Sequence, residues 1–511
     1  MTQKNIEDKV GQMLMGGFHG LTAPDYFLDW LREGRLGGVI LFARNVRDPQ
    51  QLADLTASLH TAAKYPLLIA IDQEGGTVAR LREGFAESPG ALALSSIPHQ
   101  PEATVETVSG VLAQEMRALG INWTYAPVMD ITYNTENPTV GTRSFGTDPE
   151  QVGVLAAAAV RGFQQNGVAA CAKHFPGLGN TAMDTHLALP SLDTSVEELQ
   201  IKDLLPYRIA LESQLATIMT THTIFNRLDT DHPATLSGII IQELIRKHLR
   251  FEGVVTTDCM EMKAIDDHYG VKDSVVRAVL AGVDIVLFSH TAEKQAAAYE
   301  HLLAAVQRGD VPMDIIDTAN RRIEALKAQF PAHPVDLSQI NTPEHHETML
   351  AAAKAAMTQF RADERALPLT PEQAKTAILI EFSPQVESIV EETVTASTLS
   401  YYVREHLPTL KTLVLPVRPS EDEIANVLRH EAALWLIATR NAHLNPAQSA
   451  AVHAIHAAVP KTVLLALRNP YDARLLPDSM VLCSAGDSRP SLEALSMALR
   501  GEFVPAGQVR V

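Results

Sequence analysis

Short apolar runs alternate with longer segments of helical periodicity along the first 330 residues. Eight runs are rich in branched and aromatic residues and short enough for strands: 12–18, 37–43, 67–73, 122–130, 167–176, 216–224, 253–259 and 283–289. Between them, apolar residues recur at helical spacing, as in 102–119, 149–165, 195–213 and 237–249. This alternation predicts an α/β fold with a parallel sheet, and eight repeats indicate a (β/α)8 TIM-type barrel. An open doubly wound sheet is the alternative.

The alternating pattern lapses after residue 330. The segment 331–345 contains Pro331, Pro334 and Pro343 and has the composition of a linker. A helix over 344–359 opens a second region, where the runs typical of buried strands are 376–381, 412–417, 433–438, 462–467 and 480–484. We therefore predict a barrel over 1–330, a linker over 331–345 and a smaller α/β sandwich domain over 346–511.

Composition and charge narrow the choice of partner. The 511 residues carry a formal net charge of -18, which argues against nucleic acid because phosphate binding needs clustered Lys and Arg. The first residues are too polar for a signal peptide, and no apolar stretch reaches the ~20 residues of a membrane helix. Three cysteines lie in apolar runs without metal-ligand spacing. We expect a cytoplasmic protein that binds a neutral or polar small molecule.

Ionisable residues fall at the carboxyl ends of the predicted strands. Strands three to seven end in Asp72, Asp130, Lys173-His174, His222 and Asp258, respectively. Active sites of (β/α)8 barrels lie at this face, whereas scattered structural charges have no reason to prefer one end of every strand. Each residue alone is as consistent with a cap or an ion pair as with catalysis, but together they predict an active site.

Asp258 is the candidate nucleophile. It closes the apolar run 253–258, so a buried strand delivers its carboxylate to the mouth of the barrel. Glycoside cleavage with retention needs a carboxylate on one face of the sugar and a proton donor near the leaving oxygen, usually about 5 Å apart. A strand end holds an acid in the fixed position that this reaction requires.

Asp184 and His186 are the candidate proton-transfer pair, in the Gly-rich loop after strand five. They are two residues apart, so in an extended segment both side chains point the same way. The carboxylate would hold one ring nitrogen and raise the pKa of the imidazole, leaving the other nitrogen to give and later take a proton. Such a pair alone is more often a surface feature, but its place beside Lys173-His174 favours catalysis.

Five further residues are candidates for binding sugar hydroxyls. Lys173 and His174 offer hydrogen-bond donors at a strand end, and Asp72 offers acceptors before a Gly-Gly turn. Arg80 and Arg143 are the cationic groups nearest these loops. The alternative for each of the five is a structural ion pair or a loop cap.

Three neighbouring residues are assigned supporting roles. Cys259 follows the candidate nucleophile, but nothing in the sequence gives it the activating His, cation or helix terminus that a catalytic thiol needs. We interpret it as a packing residue. Glu261 and Asp130 are acids of the same strand ends, and we expect them to support the site without reacting.

These residues lie in motifs that resemble those of glycoside hydrolase family 3, and within it the bacterial β-N-acetylglucosaminidase branch. The motifs are Lys173-His174-Phe175-Pro176-Gly177-x-Gly179 with Asp184-x-His186, Asp72-x-Glu74-Gly75-Gly76, Gly141-x-Arg143-Ser144-Phe145-Gly146 and Val254-Val255-x-x-Asp258. They cover the predicted barrel almost entirely. The segment from Gly501 to Gly507 is similar to the end of the sandwich in two-domain members.

The resemblance implies a retaining β-N-acetylglucosaminidase that forms a covalent glycosyl intermediate on Asp258, with His186 as the acid/base and Asp184 orienting it. It also implies that N-acetylglucosamine is bound by Asp72, Arg80, Arg143, Lys173 and His174, without a metal or organic cofactor. Cytosolic members of this branch take N-acetylglucosamine from muropeptides during cell-wall recycling. The resemblance therefore points to an N-acetylglucosamine-containing glycoside as substrate.

Three positions depart from the family pattern. Leu178 stands where the family often has His, Thr77 replaces a usual Arg, and Cys259 replaces a frequent Asp or Trp. The predicted chemical groups stay in place, so these changes bear on the preference for the leaving group.

Three other functions are considered. A β-glucosidase or β-xylosidase of the same family usually takes its proton from a Glu of the second domain and generally lacks the pair Asp184-x-His186. A phosphorylase would use a neutral His donor, which does not repel phosphate as a carboxylate would. A non-catalytic sugar-binding barrel would have no need to keep both Asp258 and the pair.

Overall fold

The first part of the chain forms a closed barrel of parallel strands. The computed structural model describes residues 4–181, 189–363, 366–386, 388–391, 398–459 and 461–510. In chain order the barrel strands are β1 (Leu14–Gly16), β2 (Gly38–Leu41), β3 (Leu68–Ile71), β4 (Trp123–Thr124), β5 (Ala169–Phe175), β6 (Thr217–Thr220), β7 (Val254–Thr257) and β8 (Val286–Phe288). Successive strands from β1 to β7 pair in parallel, β8 pairs with β1, and a bridge between Thr256 and Ile285 joins β7 to β8. The prediction of a (β/α)8 barrel is confirmed.

Every residue of these eight strands is buried, as expected for a parallel sheet that is covered on both faces. The outer layer consists of α1 (Ile6–Gln12), α2 (Asp25–Glu33), α3 (Pro49–Ala62), α4 (Ala91–Ser95), α5 (Pro101–Ala118), α6 (Pro149–Gln165), α7 (Val196–Ile201), α8 (Leu204–Leu211), α9 (Lys263–Ala281), α10 (Ala292–Arg308) and α11 (Met313–Gln329). A π-helix, Ile239–His248, lies between β6 and β7. Within the described ranges, no helix is both long and apolar enough to cross a membrane.

Two predicted elements of the barrel differ from the observed ones. The predicted strand 122–130 is reduced to β4 and one bridge between Val128 and Lys173, because Pro127 has no N–H to donate to a neighbouring strand. The predicted helix 195–213 is two helices, since the backbone of Lys202 leaves the helical region between α7 and α8.

The second part of the chain forms a six-stranded sheet between helices. Its elements are α12 (Pro343–Ala356), β9 (Thr358–Phe360), α13 (Pro371–Ala374), β10 (Ala377–Phe382), α14 (Leu399–His406), β11 (Lys411–Leu415), α15 (Glu421–Val427), β12 (Leu434–Thr439), α16 (Pro446–Ala458), β13 (Thr462–Ala466), β14 (Met480–Cys483) and α17 (Arg489–Leu499). The strand order is β9-β14-β13-β12-β10-β11, and only β9 is antiparallel to its neighbour. The five predicted strands are present. The predicted helix 344–359 ends earlier, at Ala356, and its last residues belong to strand β9.

The two parts contact each other through polar groups, of which Glu87 and Glu115 on the barrel are buried. Arg489 at the start of α17 donates from Nε to Oε1 of Glu87, a barrel residue, over 2.6 Å. The segment that connects the two parts lies against α5, where Glu115 Oε1 accepts from the backbone N–H of Asn341 at 2.7 Å and lies 2.8 Å from Nδ1 of His345. These contacts hold the sheet domain beside the barrel mouth.

Candidate active site

A cavity of about 660 Å³ opens at the carboxyl ends of the barrel strands. Six of the eight predicted site residues line it: Asp72, Arg80, Arg143, Lys173, His174 and Asp258. The other two, Asp184 and His186, lie outside the described residues. The side chains that come together stem from four different strand ends and the loops after them, which is the arrangement expected of a barrel active site.

Asp258 follows the last residue of β7 and is partly exposed to the cavity. Its Oδ1 accepts the backbone N–H of Cys259 at 2.7 Å, and its own N–H donates to the carbonyl of Thr220 on β6. Among the described residues, no Lys, Arg or His lies within ion-pair distance of this carboxylate. It is therefore a fixed carboxylate with oxygen lone pairs available to a ligand.

His222, which follows β6, contacts the backbone directly after Asp258. It is fully buried, with Nδ1 2.8 Å from the hydroxyl of Thr235 and Nε2 2.9 Å from the carbonyl of Cys259. Nε2 must therefore carry a proton and donate to that carbonyl, since a carbonyl only accepts. The His found at the end of predicted strand six is thus a structural residue that fixes the backbone beside Asp258.

Asp72 belongs to a buried network of charges on the opposite side of the cavity. Its Oδ1 lies 2.8 Å from Lys173 Nζ, which also lies 2.7 Å from Oε1 of Glu74. The guanidinium of Arg143 donates two hydrogen bonds, of 2.7 and 2.8 Å, to the two carboxylate oxygens of Glu74. Burial raises the pKa of Asp72 and of Glu74, but the neighbouring cations outweigh it and hold both pKa values below their usual range. Both acids are therefore charged at neutral pH.

The pKa of Lys173 moves in the opposite direction. Burial lowers it, yet the charges of Asp72 and Glu74 raise it above the ordinary value. Lys173 therefore stays an ammonium donor and cannot serve as a general base near neutral pH. The ion pairs considered for Lys173 and Arg143 in the sequence analysis are present, while the same side chains line the cavity.

Arg80 links this network to the second domain. One of its terminal nitrogens lies 3.5 Å from Asp72 Oδ2, and the other donates to the carbonyl of Val390 at 2.7 Å. Val386, Ile389 and Val390 form an apolar rim on the cavity, which we call the second-domain lip. The second domain therefore reaches the barrel cavity.

His174 is held by Asp130, as the supporting role predicted for that acid requires. His174 Nδ1 lies 2.6 Å from Asp130 Oδ2, and the other carboxylate oxygen accepts the backbone N–H of Leu178 at 2.6 Å. Asp130 is almost completely buried. One carboxylate thus fixes both the ring of His174 and the first turn of the loop that continues toward Asp184.

The other two supporting predictions also agree with the geometry. Cys259 is buried, and burial raises the pKa of its thiol to about 12, so it remains a neutral packing group. Glu261 accepts the backbone N–H groups of His290 and Thr291 at 2.7 and 3.1 Å, at the start of α10. It fixes the backbone that leads into that helix.

Four groups important to the site were not assigned by the sequence analysis. Glu74 is the shared partner of Arg143 and Lys173, and Gln73 accepts the backbone N–H of Arg80 at 2.9 Å. Asn137 joins two loops of the cavity rim, and Val390 supplies a carbonyl from the other domain. Glu74 lies in one of the sequence motifs, and its charge could have identified it as a partner for the cationic residues. The roles of Gln73, Asn137 and Val390 depend on contacts that sequence spacing does not reveal.

The sequence of the barrel resembles that of known proteins. The sequence model of the glycosyl hydrolase family 3 N-terminal domain matches residues 5–326. A beta-hexosaminidase A of Pseudoalteromonas piscicida is 33% identical over 371 residues, which cover 67% of this chain and 62% of that protein. A beta-hexosaminidase of Stenotrophomonas maltophilia is 34% identical over 339 residues, 61% of this chain and 100% of the relative.

A solved structure covers both domains. The family 3 beta-N-acetylglucosaminidase from Paenibacillus sp. str. FPU-7 aligns over 100% of both chains with a TM-score of 0.92 and 34% identity. The barrel match and the two-domain match therefore identify the same group of enzymes. The chain belongs to glycosyl hydrolase family 3.

Proposed function

We propose that the protein is a retaining β-N-acetylglucosaminidase that hydrolyses terminal N-acetyl-β-glucosaminides. The observation that carries the proposal is Asp258, a cavity carboxylate that no cation of the described residues neutralises, facing a network of charged hydrogen-bonding groups. The relatives named beta-hexosaminidase and beta-N-acetylglucosaminidase support the choice of an N-acetylated sugar. The proposed setting is cytoplasmic cell-wall recycling, with muropeptide fragments as substrates.

In the proposed first step, an Asp258 oxygen attacks the anomeric carbon and the bond to the leaving oxygen breaks. His186 gives its proton to that oxygen, and Asp184 stabilises and orients the imidazole. In the second step the neutral imidazole takes a proton from water, whose oxygen displaces Asp258 and restores the free enzyme. Two displacements at one carbon retain its configuration.

The charged network is the proposed site for the sugar hydroxyls. Asp72 accepts hydrogen bonds because its lowered pKa keeps it ionised, and Lys173, Arg143 and Arg80 donate. His174 offers the ring nitrogen that Asp130 does not hold. Their mutual ion pairs hold these side chains in place before substrate arrives, which lowers the cost of ordering them on binding. The charges of Asp72 and Glu74 balance those of Lys173 and Arg143. This balance agrees with an uncharged ligand such as N-acetylglucosamine.

The geometry of the second domain bears on the β-glucosidase alternative. Its described carboxylate nearest the lip, Glu391, lies 3.2 Å from two nitrogens of Arg468. A carboxylate in a bidentate pair with Arg is stabilised in its charged form and is a poor proton donor. This contact favours the loop that carries Asp184 and His186 as the source of the proton.

A panel of aryl glycosides tests the proposal. We expect hydrolysis of an aryl N-acetyl-β-glucosaminide to exceed that of the aryl β-glucoside by a wide margin. Replacing Asp258 by Ala should lower turnover by more than about a thousandfold, because the covalent step is lost. The matched control is Asp267→Ala, an exposed acid on α9. Equal rates on the two sugars would refute the N-acetyl assignment, and an active Asp258→Ala enzyme would refute the nucleophile.

The same assay separates hydrolysis from phosphorolysis. Turnover is measured in phosphate and in a buffer without phosphate, and the sugar product is identified. Hydrolysis predicts equal rates and free N-acetylglucosamine in both. A rate that requires phosphate, with a sugar phosphate as product, would assign the phosphorylase reaction instead.

A further inference from the structure

Asn137 is a buried amide that bonds to two loops of the cavity rim at once. Its Nδ2 donates to the carbonyl of Thr181 at 2.8 Å and contacts the carbonyls of Leu178 and Gly179 at 3.2 and 3.5 Å. The residue is only 3% exposed, so these bonds are shielded from bulk solvent. One side-chain group therefore holds the backbone of 178–181.

The other end of the amide holds the loop of Arg143. Asn137 Oδ1 accepts the backbone N–H groups of Thr139 and Val140, both at 2.9 Å. The carbonyl of Thr139 in turn accepts a bond of 2.8 Å from the Arg143 guanidinium. The partners also determine which amide atom is which, because Nδ2 faces only oxygen atoms and Oδ1 faces N–H and O–H donors.

The segment 178–181 is packed closely against the barrel. A Cβ placed on Gly179 would lie 1.6 Å from the carbonyl oxygen of Ile131, so only glycine allows this approach. Asp130 holds the N–H of Leu178, as described above. Three residues after Thr181 the chain reaches Asp184, the first member of the proposed acid/base pair.

We propose that Asn137 is a positioning residue for proton transfer: it sets the start of the segment that carries Asp184 and His186 relative to the Arg143 network that holds the sugar. The inference rests on the proposed function. A proton donor must lie within hydrogen-bond reach of the leaving oxygen, and displacements of about 1 Å can cost about a hundredfold in rate. Asn137 touches neither the cavity nor the substrate and acts through the backbone of both loops.

The test uses aryl N-acetyl-β-glucosaminides that differ in the leaving group. Phenol is a poor leaving group and needs a proton from the enzyme, whereas a dinitrophenol leaves without one. In Asn137→Asp the acceptor for Thr139 and Val140 is kept, but the donor to the 178–181 carbonyls is replaced by an oxygen. We expect kcat/KM to fall about tenfold to a hundredfold on the phenyl substrate and less than about threefold on the dinitrophenyl substrate.

A second variant and a control complete the design. Asn137→Ala removes both halves of the contact, so inhibition by N-acetylglucosamine should also weaken, whereas Asn137→Asp should leave it unchanged. Asn134→Ala is the control, because Asn134 lies in the same loop and its side chain caps only the N–H of Glu136. Thermal unfolding of each variant verifies that it is folded. If Asn137→Ala does not fold, the leaving-group comparison with Asn137→Asp alone tests the role of Asn137.

The outcomes separate this inference from the proposed function. Equal losses on both leaving groups, or behaviour identical to that of Asn134→Ala, would overturn the role of Asn137 while the wild type still hydrolyses the substrates. A wild type without activity on N-acetylglucosaminides would instead refute the proposed function itself. A loss confined to the poor leaving group supports Asn137 as the positioning residue.

Discussion

The acids of the cavity differ in how they are neutralised, and this difference separates their proposed roles. Asp72 and Glu74 each contact two cations, which stabilise the charged form of both carboxylates. Asp258 accepts one backbone N–H and, within the described ranges, pairs with no cation. A carboxylate stabilised by cations is a weak nucleophile, whereas Asp258 keeps an oxygen for the anomeric carbon.

Glu74 should contribute strongly to stability because two buried cations depend on it. In Glu74→Gln, Arg143 and Lys173 stay buried with one carboxylate fewer, and we expect the free energy of unfolding at pH 7 to fall by about 3 kcal/mol. The control is Glu106→Gln, whose partner Arg161 is about one-third exposed and whose loss should cost less than about 1 kcal/mol. Urea unfolding of both variants measures the difference.

The pH dependence of the same variant follows from the lowered pKa of Glu74. A carboxyl whose pKa is lower in the folded state stabilises the protein above its unfolded pKa of about 4.3, and that contribution disappears as the pH falls through the folded value. The gap between wild type and Glu74→Gln should therefore narrow on acidification below about pH 4. A gap that widens in acid would contradict the ion-pair account.

The sequence was most informative for residues at strand ends. Asp258, Asp72 and Lys173 could be placed because a barrel brings the carboxyl ends of all strands to one face. The sequence could not show that Lys173 binds two carboxylates, since Asp72 lies 101 positions away from it. Nor could it show that the carbonyl of Val390 reaches Arg80, 310 positions away. Such pairings depend on tertiary packing and have no local pattern.

At the scale of elements, continuous apolar runs predicted the barrel strands well, and local chemistry explains where they failed. Pro127 interrupts the hydrogen bonding of predicted strand four, so only two residues of it pair regularly. The predicted helix 195–213 has a good N-terminal signal, a capping box of Ser195 and Glu198, but breaks at Lys202. Periodicity detects the presence of an element more reliably than its interruption.

Packing of α11 against α1 buries an amine, which predicts an unusual dependence of stability on pH. Lys327 Nζ donates to Oε1 of Gln12 at 2.6 Å, and burial lowers the pKa of Lys327 to about 7. The unfolded chain, with a pKa of about 10.4, therefore binds more protons between about pH 7 and pH 10. In this window the free energy of unfolding should rise with pH, by up to about 1.4 kcal/mol per unit.

Lys327→Met isolates this contribution. The wild type should gain stability relative to the variant as the pH is raised from about 7 to about 10, measured by urea unfolding at three pH values. Lys247→Met is the control, because the side chain of Lys247 is 69% exposed. Parallel pH dependence of wild type and Lys327→Met would show that the amine is not held at a lowered pKa.

At the scale of the whole molecule, the cavity belongs to both domains. The barrel supplies the charged network, while the second-domain lip of Val386, Ile389 and Val390 covers one side of it. The lip is apolar and partly exposed, with Ile389 56% accessible. Placement of the second domain therefore affects both the shape of the cavity and the orientation of Arg80.

This dependence can be tested at a contact between the two domains whose residues do not line the cavity. Arg489 bonds to Glu87 and also donates to the carbonyls of Arg82 and Phe85, so Arg489→Ala should loosen the second domain on the barrel. Because the carbonyl of Val390 would then hold Arg80 less well, we expect KM for the aryl N-acetyl-β-glucosaminide to rise about tenfold, or about 1.4 kcal/mol of binding, with a smaller change in kcat. Steady-state kinetics and calorimetric unfolding measure the two effects.

Arg361→Ala is the matched control, because its pair with Asp478 is exposed and lies within the second domain. It should leave KM and the unfolding profile unchanged. If Arg489→Ala lowered stability but left KM at the wild-type value, the domain contact would serve folding alone, and the lip and its carbonyl would have no part in holding the sugar-binding network. A raised KM with intact barrel stability would show that the second domain completes the substrate site.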